Sequence, residues 1–128
     1  MLKSQVLRSL PLSAASGLVV LERYFFVVAD DDLHLYVFSL DDEAFVRRVR
    51  LCEGELPADK KLRKAQKPDF ESLTLLSACD DYPHGALLAV GSGSTANRQQ
   101  AVLIPLLENN EPSDTVQIIN LAPLYAAL

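Results

Sequence analysis

Tryptophan is absent from these 128 residues, methionine occurs once, and cysteine and histidine occur twice each. Cys52 and Cys79 have neither CxxC spacing nor a nearby histidine, so zinc-knuckle and dithiol redox chemistry are excluded along with a disulfide framework. Basic charge is also scarce: 12 Lys and Arg stand against 17 Asp and Glu, for a formal charge of −5 and a pI near 4.9. Such a chain lacks the cationic field that nonspecific nucleic-acid binding requires. No apolar run approaches the roughly 18 residues of a membrane span. Leu10 to Leu21 follows Lys3 and Arg8 in the manner of a secretory leader. Pro11, Ser13, Ser16 and Gly17 interrupt the run, however, and no small-residue cleavage site follows Leu21, so the reading is cytoplasmic.

What is present is a chain with 49% hydrophobic residues and mean hydropathy +0.13, suited to a single domain over 1–128. Charge is uneven, since residues 68–128 contain Arg98 as their one basic residue against seven acids. Lys60, Lys61, Arg63, Lys64 and Lys67 cluster within eight positions and read as a solvated loop.

Hydrophobic patterning predicts an all-β fold. Residues 24–29 and 33–38 are aromatic and β-branched runs flanking Asp30, Asp31 and Asp32, whose carboxylates suit turn amides. Residues 16–21 precede them after only Glu22 and Arg23. Residues 44–51 follow as a more exposed outer strand, with Val46 and Arg48 expected on one face and Phe45, Arg47 and Val49 on the other. A connection over 52–69 then leaves the sheet. Residues 70–76, 85–90, 100–105 and 115–120 read as four further strands, and 121–128 as a short turn or helix.

The prediction is two consecutive four-stranded antiparallel meanders, 13–51 and 70–120, resembling β-propeller blades. Ser16-Gly17-Leu18 and Glu71-Ser72-Leu73 start the two units equivalently. An eight-stranded β-sandwich is the alternative, because both arrangements bury sheet against sheet. Two blades cannot close a ring, so the blade reading expects self-association or further blades.

Two loops suggest ligand chemistry. Gly91, Ser92, Gly93 and Ser94, with Arg98, could form an anion-binding nest of amides and hydroxyls, although the P-loop and dinucleotide spacings are absent. The alternative is a glycine-permitted turn. Asp30, Asp31, Asp69 and Glu71 fall at strand ends and, if they converge, offer hard oxygen ligands for a divalent cation such as Ca²⁺. Turn-capping aspartates would look the same. A triad of Ser92 or Ser94 with His84 and Asp81 can be written from residue types alone, without a Gly-x-Ser-x-Gly elbow. His34 reads as a strand-face residue.

The ordered set Ser13-Ala14-Ala15-Ser16-Gly17, Val28-Ala29-Asp30-Asp31, Lys67-Pro68-Asp69-Phe70-Glu71-Ser72-Leu73 and Gly91-Ser92-Gly93-Ser94 with Arg98 resembles uncharacterised bacterial propeller-type proteins. Those are more than twice as long, so the resemblance is to their N-terminal portion. More distantly, Glu71 opening an inner strand is similar to lactonase and phytase-like esterase propellers, where such an acid helps hold a divalent cation. Ser72 stands where their pattern has glycine. The resemblance implies a noncatalytic recognition or scaffold module, with a metal-assisted hydrolase, or a structural fragment completed by other chains, as the alternatives.

Overall fold

The computed structural model describes residues 15–29, 32–42, 44–52, 58–59, 61, 69–92, 99–121 and 123. They form eight strands: β1 (Ala15–Leu21), β2 (Tyr24–Ala29), β3 (His34–Ser39), β4 (Phe45–Arg50), β5 (Phe70–Leu76), β6 (Ala86–Gly91), β7 (Gln100–Pro105) and β8 (Gln117–Asn120). Two four-stranded antiparallel meanders result, ordered β1-β2-β3-β4 and β5-β6-β7-β8, as the patterning predicts. The basic cluster is represented by exposed Lys61 alone, and most of the 52–69 connection and of 121–128 lies outside the described residues.

β2 and β3 are apolar throughout because both of their faces are covered. Phe26, Val28, Leu35, Val37 and Val49 point toward the second sheet and meet Leu73, Leu87, Ala89, Val102 and Ile104 there. Phe25, Val27, Tyr36 and Phe38 form a separate cluster on the opposite face, where the Phe25 and Phe38 rings stack with centroids 4.9 Å apart. β4 and β8, the last strands of their sheets, are the more exposed ones.

β1 and β2 are joined through Glu22 and Arg23, with Leu21 opposite Tyr24. Glu22 has φ +54°, at the first central position of this two-residue connection, where hairpin turns favour glycine. A Glu22→Gly substitution is therefore expected to stabilise the chain by about 0.5–1 kcal/mol, since relief of left-handed strain exceeds the added unfolded-state entropy. Urea denaturation checks this: an unchanged or lower midpoint contradicts the strain argument.

Three register shifts refine the pattern. In β4, Phe45 lies opposite Phe38 and Arg47 opposite Val37, so Val46 is the extra residue of a bulge. The bulge corrects the simple alternation expected for this strand. Phe45 shares a face with Arg48 and Arg50, and its ring lies 6.2 Å from Tyr36 and 5.7 Å from Phe38. The other two bulges are equivalent. Ser16 is the extra residue in β1 and Glu71 the extra residue in β5, each at the start of its sheet.

That equivalence aligns the sheets residue by residue: Leu18 with Leu73, Val27 with Ala89, Phe25 with Leu87, Tyr36 with Val102, and Phe38 with Ile104. The second sheet packs the face bearing Leu73, Leu87 and Ala89 against the first. The matching face of the first sheet, with Leu18, Phe25 and Val27, points the other way. The sheets are thus stacked in the same sense, front of one on back of the other. The sheets come close together at Gly17, where a Cβ would stand 2.7 Å from the Leu73 backbone nitrogen, and at Ser16, whose hydroxyl donates to the Phe70 carbonyl. Arg47 ties the far edge by pairing with Asp114 at 2.6 Å, approaching Glu111 at 3.8 Å and donating to the Pro112 carbonyl.

Candidate functional site

Antiparallel order brings one set of strand ends to a common rim. The start of β1, the end of β2, the start of β3 and the end of β4 lie together, as do the corresponding ends of β5 to β8. Asp69, Glu71, Gly91 and Ser92 converge here: Phe70 pairs with Gly91, and the Ser92 amide donates to the Asp69 carbonyl at 3.0 Å. Asp69 adopts φ +56°, and Glu71 is exposed within its bulge. Asp30, Asp31, Gly93, Ser94 and Arg98 lie outside the described residues. Among the described residues no group of three or more His, Cys, Asp and Glu side chains is placed to hold a metal ion.

The written triad fails for Ser92. His84 and Asp81 belong to the β5–β6 connection, with Gly85 (φ +85°) closing its turn, whereas Ser92 follows β6. Six strand residues place His84 and Ser92 roughly 20 Å apart, far beyond hydrogen-bond reach.

A different constellation occupies the first sheet. Asp32, His34 and Tyr36 alternate along the chain and share one face. Oδ1 of Asp32 accepts from the His34 amide at 2.9 Å and lies 3.0 Å from His34 Nδ1, while Oδ2 accepts from the Tyr36 hydroxyl at 2.7 Å. Register then sets Arg48 opposite Tyr36 and Arg50 opposite His34. Arg48 and Arg50 are exposed, and Arg50 donates to the Cys52 carbonyl at 3.0 Å. Beside Arg50 a cavity of about 380 Å³ lies between residues 50–52 and 114–116, with Ile118 in its wall. Burial, opposed by the charge of Arg50, raises the Cys52 thiol, and Cys79 is exposed.

Burial alone would raise the Asp32 carboxyl, but the Tyr36 and His34 hydrogen bonds outweigh it and hold the group below the ordinary carboxylate range. The Tyr36 phenol is pushed up to about 12, by burial first and then by the bond to Asp32, with Arg48 opposing. Asp32 is therefore an anion, and Tyr36 a neutral donor, across the physiological range. A carboxylate with a depressed folded-state pKa stabilises the fold above its unfolded pKa, and that contribution is lost as pH falls through the folded value. Asp32→Asn should flatten the acid limb of a melting-temperature profile below about pH 4. Tyr36→Phe should cost about 1–2 kcal/mol at neutral pH by removing a charge-assisted hydrogen bond. Equal melting temperatures for Tyr36→Phe and the parent would count against the cluster.

Asp32 and His34 are spaced as a strand-face pair in the sequence, so part of this cluster is legible there. The arginines are not, because their placement depends on the Val46 bulge.

Comparison with known proteins reaches the same boundary as the residues. A family of unknown function, DUF6929, matches residues 11–128. The chain belongs to the DUF6929 family. No curated protein and no solved structure matches it. The DUF6929 match covers both sheets and all eight strands, and it carries neither a propeller nor a lactonase likeness. Among the described residues, no helix is long and apolar enough to cross a membrane.

Proposed function

We propose that this DUF6929 chain is a noncatalytic recognition or scaffold module of the propeller type, presenting the rim that carries Asp32, Asp69, Glu71, Gly91 and Ser92. The observation that supports this is the same-sense stacking of the sheets. A two-sheet sandwich packs two inner faces together and turns two outer faces to solvent. Front-on-back stacking instead repeats one interface, and the back of the second sheet then offers an open site for another sheet. On that back Leu76, Leu88, Val90 and Ile119 are only half-buried, although Ala86, Ala101 and Leu103 among them are buried, whereas the corresponding back of the first sheet is closed by the second. Recognition rather than catalysis is favoured by the commitment of both Asp32 oxygens to His34 and Tyr36.

Purified protein is expected to show no turnover of aryl esters, lactones or phosphomonoesters. Turnover that disappears in Glu71→Gln would overturn this reading in favour of a metal-assisted hydrolase. That alternative has one observation behind it: the bulge that sets Glu71 out of the strand alternation, at a rim shared with Asp69. It further requires Ca²⁺ or Mn²⁺ to raise the melting temperature, as ligand linkage dictates. The stacking reading predicts concentration-dependent association in sedimentation velocity, lost in Val90→Lys. A monomer at every concentration would leave the open back to a different chain and remove self-association.

A further inference from the structure

A cavity of about 320 Å³ opens at the end of the sheets opposite the rim of Asp69 and Ser92, lined by Glu22, Arg23, Tyr24, Asn109 and Asn110. The first three come from the β1–β2 turn and the start of β2, and the asparagines from the β7–β8 connection, so each sheet supplies one wall. That volume stands at the small end of the roughly 300–1,000 Å³ of small-molecule sites.

Both walls are held by bonds outside the cavity's charged groups. The Arg23 carbonyl accepts from the Leu40 amide at 2.8 Å, and the Tyr24 ring lies beside Phe26 with centroids 6.3 Å apart. Opposite, the Asn110 amide donates to the Leu107 carbonyl at 2.9 Å. The Asn109 carboxamide donates to the Glu111 carboxylate at 2.6 Å and accepts from the Glu111 amide at 3.1 Å. The charged ends of Glu22 and Arg23 are engaged differently: among the described residues they form no ion pair, either with each other or elsewhere.

Backbone strain marks the same place. Glu22 holds φ +54° at a turn position that favours glycine, and Asn110 on the facing wall holds φ +68°, which asparagine tolerates. Strained non-glycine backbone clusters at ligand clamps and active sites. What the strain sets on this wall is a carboxylate next to a guanidinium.

One carboxylate and one guanidinium sum to zero charge. An anion drawn to Arg23 meets Glu22, and a cation drawn to Glu22 meets Arg23, so an ion of either sign gains little. A ligand carrying both charges on a short frame satisfies the two groups at once. Its carboxylate matches the guanidinium fork, and its ammonium matches Glu22. The half-buried Tyr24 ring offers apolar surface to what lies between them, and the Asn110 carboxamide a donor and an acceptor.

We infer that Glu22, Arg23, Tyr24 and Asn110 form a binding site for a free α-amino acid. The inference goes beyond the recognition reading, because this cavity lies at the other end of the sheets from the rim and uses none of its residues.

Backbone amide resonances of the whole chain, followed during titration with L-alanine, test it. Propionate and ethylamine, which each carry one of its two charges, are titrated alongside, with sodium chloride at matched ionic strength. Saturable shifts are expected at residues 22–24 and 109–110, with L-alanine bound about tenfold more tightly than either half. Glu22→Gln should weaken L-alanine about tenfold without weakening propionate, and Arg23→Gln should do the same without weakening ethylamine. Both side chains are exposed, so these variants should melt with the parent. Glu22→Gly separates fold from binding: its urea midpoint should rise while its affinity for L-alanine falls. Equal affinity for L-alanine and either half would overturn the zwitterionic ligand. Binding that persists in the E22Q/R23Q double variant, or shifts that sodium chloride reproduces, would overturn the site itself.

Discussion

Gly17→Ala is expected to destabilise the protein by about 2–3 kcal/mol, and Gly17→Val by more. The added Cβ would stand 2.7 Å from the Leu73 nitrogen and 3.0 Å from both the Leu73 Cβ and the Ser72 carbonyl carbon. Two of those three atoms are backbone of β5, which cannot swing aside as a flexible side chain would. Relief would require β1 and β5 to separate at this point. Backbone conformation is not the cause, because Gly17 is not among the residues with positive φ. The repeat supplies an internal control. Ser72 is the counterpart of Gly17 in the second sheet, and it is exposed, with no sheet packed over it. Ser72→Ala should shift stability by less than about 0.5 kcal/mol. Chemical denaturation of the three variants decides the matter. Equal midpoints for Gly17→Ala and Ser72→Ala would show that the sheets do not approach each other at Gly17.

Phe26→Ala should cost about 3–5 kcal/mol, the usual range for emptying a buried phenylalanine site. Phe26 is completely buried at the centre of the layer between the sheets and packs among residues of both. Its counterpart is Leu88, which is half-buried on the open back of the second sheet. Leu88→Ala should therefore cost markedly less in the isolated chain. Any partner sheet that covers this back should enlarge the Leu88 effect, whereas the Phe26 effect is already complete within one chain. A comparison at low and high protein concentration distinguishes the two. Comparable costs for both truncations at low concentration would contradict the front-on-back stacking.

The strands were legible because their patterns obey simple burial rules. Residues 24–29 are apolar without alternation, which a strand covered on both faces requires, and Glu22 with Arg23 leaves room only for a tight reversal. The equivalence of Ser16-Gly17-Leu18 and Glu71-Ser72-Leu73 was also visible, although not that Ser16 and Glu71 are bulged. Register was less accessible. A bulge adds one residue without changing composition, so Phe45 moved to the face of Arg48 with nothing in residues 44–51 to announce it. The last strand begins at Gln117 rather than 115, after the Thr115 amide turns back to the Ser113 hydroxyl. For the site, Asp69, Glu71, Gly91 and Ser92 do share a rim, because antiparallel neighbours bring alternate chain ends together. The Ser92–His84 pairing failed for that same reason, since one strand separates them along its full length. The Asp32, His34 and Tyr36 spacing was readable, but the arginines opposite became visible only once β3 and β4 were paired.

Arg47 joins the outermost strand of the first sheet to the β7–β8 connection, through Asp114, Glu111 and the carbonyl of the fully buried Pro112. Gly17 and Ser16 hold the opposite ends of the two layers together. With clasps at both extremes, neither layer can peel away without disturbing the other. Loss of structure should accordingly be all-or-none, and amides in β2 and β6 should exchange with solvent at a common slow rate despite lying in separate sheets.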